Sequence, residues 1–301
     1  MQNHRERMSF RAPMKNIILS AALPLLAALA FAGPSPVDFH DHLGLQMWSL
    51  RDITKTDQLK ALDITQGYGF TEIETGKPTD RPLEQYAAEL KERGLVAVGI
   101  HTGYDTLTPD GLKDVIHTAK VLGSHYVTCP WIPHGKAGFT ETQAHQVAAT
   151  FNAAGRTLKE AGLAFAYHPH GYEFTPSSAG HGDTVFDVLV RETKPEFVSF
   201  ELDVFWAFHG GQDPVALLNK YPDRWSLIHI KDIRKGAPTG FSTGSAPATD
   251  NVPVGKGQID WPAVLRTAQK VGIQHFFVED ETPNALECIP ISLGYLRNLK
   301  L

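Results

Sequence analysis

VSFELDVFWAFHGGQDPVALLNKYPDRWSLIHIK, residues 198–231, holds the pattern that decides the fold. Two short apolar runs, 198–203 and 226–231, read as β-strands. Between them Asp213-Pro214 marks a helix start, since the aspartate side chain can accept a first-turn amide and proline fits the first helical position. A strand, a helix and a second strand in this length form the crossover unit that joins parallel strands. Both runs close on polar pairs spaced by two, Glu201-Leu-Asp203 and His229-Ile-Lys231, and side chains at i and i+2 share a face.

The same unit recurs on both sides. Apolar runs at 43–48, 70–74, 96–101, 125–129, 164–168 and 275–279 bring the strands to eight. Helical stretches stop where glycine follows, 83–93 at Gly94, 112–122 at Gly123 and 261–271 at Gly272, and a closing helix is expected over 284–299. Strand, helix and glycine repeated in this way predict a single (β/α)8 TIM barrel, an α/β fold whose chemistry sits at the C-terminal ends of its strands. Residues 234–257, rich in Gly, Pro, Ser and Thr, read either as a mobile loop over the barrel mouth or as a disordered surface insertion.

Two further polar pairs fall at strand ends, His168-Pro-His170 and Glu279-Asp-Glu281. One member of each pair gives the set His168, Asp203, His229 and Glu279, whose mixed nitrogen and oxygen donors suit one divalent ion, Mn, Zn, Co or Fe, better than calcium. The competing reading is a buried salt-bridge network. The other members, His170, Glu201, Lys231 and Glu281, stand where they could orient ligands, bind substrate or move protons, with Lys231 able to neutralise an oxyanion. Glu74 and His101 end the second and third strands and reach the same volume. Glu74 and Glu279 would then form an acid/base pair on either side of the metal, taking a proton from one carbon and returning it to the next while the metal stabilises the enediolate. Glu173 could replace His168 as ligand if its strand ends one turn later, and is otherwise a substrate contact. Trp48, Tyr104, Trp131, Tyr167, Tyr172, Phe205 and Trp206 are candidate rim aromatics for stacking on sugar C–H faces, Trp206 first among them.

Arg5, Arg7, Arg11 and Lys15 precede the apolar run 17–31, which ends in Ala30-Phe31-Ala32 before Gly33. This predicts a cleavable Sec-type signal peptide over 1–32, cut after Ala32, a mature domain over 33–301, and a periplasmic or secreted product. The run is short for a membrane anchor, so no stable span is expected after cleavage. The remainder suits one large barrel or two small domains. A net charge of −5 with scattered Lys and Arg gives no nucleic-acid footprint. Cys129 and Cys288 are expected as free, buried thiols, with a disulfide open in an oxidising compartment. Partners are then small molecules, with room for a homo-oligomer.

Taken together, Tyr167-His168-Pro169-His170 with Glu173-Phe174, Glu201-Leu202-Asp203 with Trp206, His229-Ile230-Lys231-Asp232, Val254-Gly255-Lys256-Gly257 with Asp260-Trp261, Val278-Glu279 and the opening Leu45 to Asp52 resemble the xylose-isomerase-like sugar phosphate isomerase/epimerase superfamily. The resemblance implies a (β/α)8 barrel, a divalent metal on the later strands at positions matching His168, Asp203, His229 and Glu279, and proton transfer on ketoses, aldoses or inositol-like rings. Many members have glutamate where this chain has His168, asparagine where it has Pro169, and an acidic residue where it has Lys256.

The leading expectation is an exported metal-dependent isomerase or epimerase of an unphosphorylated sugar or keto-sugar. The alternative is a lyase or hydrolase that cleaves 3-keto-glycosides by elimination. A zinc endonuclease of the same superfamily would need a basic DNA-binding face, and a non-catalytic sugar-binding barrel would keep the aromatic rim without the ligands.

Overall fold

The structure, a computed structural model, describes residues 37–135, 138–178, 182–240 and 243–301. The expected signal peptide, residues 1–32, and its boundary lie outside the described residues. Eight parallel strands close a barrel: β1 Leu43–Gln46, β2 Glu72–Thr75, β3 Val96–His101, β4 Tyr126–Cys129, β5 Ala164–Tyr167, β6 Val198–Asp203, β7 Trp225–Ile230 and β8 His275–Val278. The expected barrel is therefore observed. Each strand pairs with its sequence neighbours, and the ring shuts where Leu43 of β1 lies opposite Phe276 of β8, so no strand edge is left open.

Helices and tight turns return the chain between strands. Helix Glu141–Glu160 starts in a capping box between Thr140 and Gln143, and helix Val185–Glu192 in one between Thr184 and Asp187. Asp213 caps helix Pro214–Lys220 through the amides of Val215 and Ala216, as its sequence requires. Gly123 ends helix Gly111–Leu122 in the left-handed region, φ 72°, a conformation costly for other residues. Closing helix Ala285–Asn298 buries Ile289, Leu293 and Leu296.

The strands' outward side chains pack against the helices, as Phe165 and Phe200 do against Phe151 and Phe186. Inside the barrel Val98, Ala166, Leu227 and Phe277 form a separate apolar cluster. Two residues further along the same faces stand His168, His229 and Glu279, and two beyond those His170, Lys231 and Glu281. The apolar cluster is thus a floor under the polar strand ends.

Two local expectations change. The run 43–48 is strand only to Gln46, because the Gln46 side chain accepts the Trp48 amide at 3.0 Å and turns the chain into the 3-10 helix Met47–Leu50. Segment 234–257 is tied down rather than featureless: Asp232–Ile233 pairs antiparallel with Asn251–Val252. Asp232 also accepts the amides of Gly255 at 2.9 Å and Gly257 at 3.1 Å and the Trp261 indole N–H at 2.9 Å. A Cβ at position 257 would lie 2.1 Å from Asp232 Oδ1, so glycine there is a steric requirement. Both cysteines are free, Cys129 buried and Cys288 half-buried. Among the described residues no helix is long and apolar enough to cross a membrane.

Candidate active site

Strands β5 to β8 deliver His168, Asp203, His229 and Glu279 above the apolar floor. His168 Nε2 lies 3.6 Å from Asp203 Oδ2, and His229 Nδ1 lies 3.9 Å from that oxygen and 3.3 Å from Glu279 Oε2. The opposite ring nitrogens are held from behind, His168 Nδ1 at 3.0 Å from Glu201 Oε2 and His229 Nε2 at 2.8 Å from Glu74 Oε2. A carboxylate on one imidazole nitrogen fixes the direction in which the other is presented, the arrangement found behind metal-ligating histidines. Asp203 Oδ1 accepts the Trp206 amide at 2.9 Å, whereas its buried Oδ2 has no hydrogen-bond partner among the described residues. A carboxylate oxygen buried in that way is costly until a cation faces it. These four donors fit a first-row divalent ion, with Glu201 and Glu74 as the groups that aim the imidazoles.

A second grouping overlaps the first. Asp203, His229 and Glu279 bring donor atoms within 4.8 Å of one another, and so, as a separate group, do His101, His168, Glu201 and His229, so His168 reaches the first group through its 3.6 Å approach to Asp203. In the second group Glu201 sits centrally, its Oε2 3.4 Å from His101 Nε2 and its Oε1 3.3 Å from His229 Nε2.

Charge follows from this packing. Burial alone would raise Glu201 and Glu279, but His229 beside the first and Lys231 beside the second outweigh it and hold both carboxyls well below their ordinary range. At Asp203 burial prevails over Lys231 and His168, and the carboxyl is raised. Burial disfavours the charged form of His101, yet Glu74 and Glu201 raise it to about 9. His170 goes the other way: burial, then the charges of His168 and Lys231, push it well below the ordinary imidazole value.

A cavity of about 860 Å³ opens above these groups, and His101, His168, His170, Trp206, His229, Lys231, Glu279 and Glu281 are in its wall. Trp48 and Trp131 stand exposed at its mouth. Trp48 Nε1 donates to Glu281 Oε1 at 2.9 Å. Segment 234–257 reaches the mouth through Gly244, where a Cβ would lie 2.6 Å from the Trp131 ring.

The profile of the family described as xylose isomerase-like TIM barrel matches residues 62–299. The chain belongs to this family. An inosose dehydratase of Lacticaseibacillus casei is 25% identical over 162 residues, 52% of each chain, so this chain spans about half the length of that curated relative. A sugar phosphate isomerase/epimerase structure from Parabacteroides distasonis matches with TM-score 0.69 at 24% identity, covering 86% of this chain and 98% of the other. The structure of the IolI protein with a zinc atom matches with TM-score 0.64 at 17% identity, covering 86% of this chain and 100% of the other. The two structures share the fold.

In this xylose isomerase-like barrel not every residue singled out in the sequence reaches the cavity. Glu74 and Glu201 are wholly buried beneath it and meet it through the histidines they hold. Glu173 belongs to neither donor grouping nor the cavity wall: Gly171, at φ 91°, turns the chain, and the Glu173 carboxylate meets the Tyr167 hydroxyl and accepts the His170 amide at 3.1 Å. Burial pushes it up to about 7. Tyr167, Tyr172 and Phe205 are packing residues rather than rim: Tyr167 lies against Phe151 with ring centres 5.0 Å apart, Tyr172 accepts the Ile132 amide, and Phe205 stacks on His209. Gln46 joins the site instead, donating to Glu74 Oε2 at 2.7 Å. Its signal was positional, a polar residue ending β1 in register with Glu74 of β2.

Proposed function

We propose that this is an exported, divalent-metal-dependent enzyme that removes a proton beside the carbonyl of an unphosphorylated sugar or keto-sugar and completes an elimination. The observation that carries the reading is a pair of imidazoles in one cavity wall whose surroundings push their proton affinities in opposite directions. The His170 ring lies 4.6 Å from the His168 ring and the His101 ring lies 5.9 Å from it. His170, pushed down, favours the neutral form that accepts a proton; His101, raised to about 9, favours the imidazolium that gives one. Elimination needs both at once. A base takes the proton from carbon, the electron pair forms the double bond, and the departing oxygen leaves with a proton from the acid.

His168, Asp203, His229 and Glu279 would hold the metal, which when bound draws density from a carbonyl oxygen and so acidifies the adjacent C–H. Lys231 presents a fixed positive charge in the same wall for a developing oxyanion. Glu74 acts through His101 and His229, at 2.8 Å from each Nε2, rather than on substrate. Trp48 and Trp206 offer ring faces to a sugar, and Glu281 a hydrogen-bond acceptor.

Relatives named inosose dehydratase favour elimination from a keto-substrate. The isomerase or epimerase reading is favoured by the name of the Parabacteroides distasonis structure, and differs only in returning the proton to carbon. The charged stretch and apolar run within residues 1–32 support a signal peptide, a mature domain from residue 33 and export, and export argues for a substrate without phosphate. The deciding experiment incubates the metal-loaded protein with a 3-keto-glucoside and with its parent glucoside in heavy water. Release of the aglycone from the keto form alone supports elimination, deuterium uptake without release supports isomerisation, and neither with any divalent metal sinks both.

A further inference from the structure

We propose a second divalent-metal site at the opposite end of the barrel, formed by His42, Glu72 and His275. His42 Nδ1 lies 2.8 Å from Glu72 Oε1 and His275 Nδ1 lies 2.8 Å from Glu72 Oε2, so one carboxylate already gathers two imidazoles. Donor atoms of all three residues fall within 4.8 Å of one another. The two rings stand nearly perpendicular, 89°, with centres 5.5 Å apart, which keeps both nitrogens turned to the carboxylate without stacking. Tetrahedral zinc with nitrogen and oxygen donors at its usual bond lengths separates them by roughly 3.3 Å, so the triad needs to open by only about half an ångström to admit an ion.

The backbone places these residues by register rather than by chance approach. Leu43 pairs with Phe276, which sets His42 beside His275, and Gly44 pairs with Glu72. The triad therefore joins the start of β8, the 3-10 helix Phe39–His42 that leads into β1, and the start of β2, at the seam where the first strand meets the last. The side chains are partly open to solvent, 36% for His42, 13% for Glu72 and 19% for His275, so an ion can enter. Two imidazoles and one carboxylate leave a fourth position for water and select a borderline ion such as zinc or cobalt over magnesium or calcium.

This site is separate from the cavity. His275 begins β8 below Phe277 and Glu279 follows the strand above it, and Phe277 with Val98, Ala166 and Leu227 fills the barrel between the two. No substrate reaches the lower triad from the cavity, so its role is to fasten the closing seam, and its loss leaves the upper site's chemistry in place.

The test is metal counting on the full chain. Chelator-stripped protein is titrated with zinc by calorimetry and its content checked by elemental analysis after dialysis. Wild type is expected to hold two equivalents, His42→Gln/His275→Gln one, and Asp203→Asn one. In the Asp203→Asn background, cobalt should still give the intense visible absorption of a four-coordinate site, and adding His275→Gln should abolish it. His275→Gln alone, which keeps the Glu72 bond to His42, gives the same reading where the double variant does not fold. Unchanged stoichiometry on removing His42 and His275, or a wild type that binds a single equivalent lost with Asp203→Asn, overturns the proposal while leaving the upper site's function standing.

Discussion

Lys231 Nζ lies 3.2 Å from Glu279 Oε2 and also meets the Glu281 carboxylate, while the rings of Phe205 and Trp206 cover it at 5.1 Å each. One buried cation thus holds two carboxylates at the cavity wall and is kept charged by them. Lys231→Met keeps the bulk and removes the charge, leaving Glu279 buried beside one fewer positive group. Turnover is expected to fall about 100- to 1000-fold, the scale for losing one oxyanion stabiliser, and stability by about 3 to 5 kcal/mol, the scale for breaking a buried ion pair. Steady-state kinetics and urea unfolding read the two effects, and turnover near wild type would remove Lys231 from the chemistry.

Glu201 lies behind the donor set, 3.0 Å from His168 Nδ1, and does not itself face the cavity. Glu201→Gln keeps the shape but weakens its hold on the imidazole. Metal affinity should drop about 10- to 100-fold, as for other groups that orient metal-ligating histidines. Calorimetric titration with zinc measures it; an unchanged affinity would mean that packing alone aims His168.

Glu173 predicts a pH dependence of stability. Its folded value, about 7, lies above the ordinary 4.5, with burial as the main cause. The folded state therefore binds this proton more tightly than the unfolded chain, a contribution fully present below pH 4.5 and lost as pH rises through 7. Across that window the loss amounts to about 3 kcal/mol for a shift of this size. Glu173→Gln carries no proton to lose, so its stability relative to wild type should improve between pH 4.5 and 8. Urea unfolding of both proteins at the two pH values checks this, and parallel curves would show that Glu173 stays ionised throughout.

The barrel was legible because each strand carries its own apolar run and several helices their own cap or closing glycine, all local signals. The polar pairs were legible because alternation sets which residues share a face. What local pattern could not give is depth. Glu201 and Asp203 share a strand and a face, yet Glu201, paired with Leu227 of the floor, ends beneath the histidines and Asp203, paired with His229, ends beside them. Glu173 looked like a ligand because it follows His168 closely, and the turn at Gly171 that sends it elsewhere is visible only once the backbone is placed. The triad of His42, Glu72 and His275 escaped for the opposite reason, since His275 lies 203 residues from Glu72 and meets it only by closure of the ring.

Gly257 carries the last prediction, because the Val254-Gly255-Lys256-Gly257 stretch has a structural reason in Asp232. That carboxylate accepts both glycine amides and the Trp261 indole, and so joins the end of β7 to the end of the long segment 234–257. Gly257→Ala would set a methyl group 2.1 Å from Asp232 Oδ1 and 2.3 Å from the Ile233 carbonyl oxygen, both held in place by their own hydrogen bonds. Neither neighbour is the end of a flexible chain, so the loop must move. A cost of about 1 to 3 kcal/mol is expected for such overpacking. The barrel should survive, since no strand pairing around the ring is touched, while segment 234–257 loosens and its contact with Trp131 at the mouth is lost. Limited proteolysis should then cut within 234–257 faster than in wild type, with the circular dichroism of the barrel unchanged. Equal protease resistance would show that the ribbon between Asp232–Ile233 and Asn251–Val252 holds the segment without the Asp232 cradle.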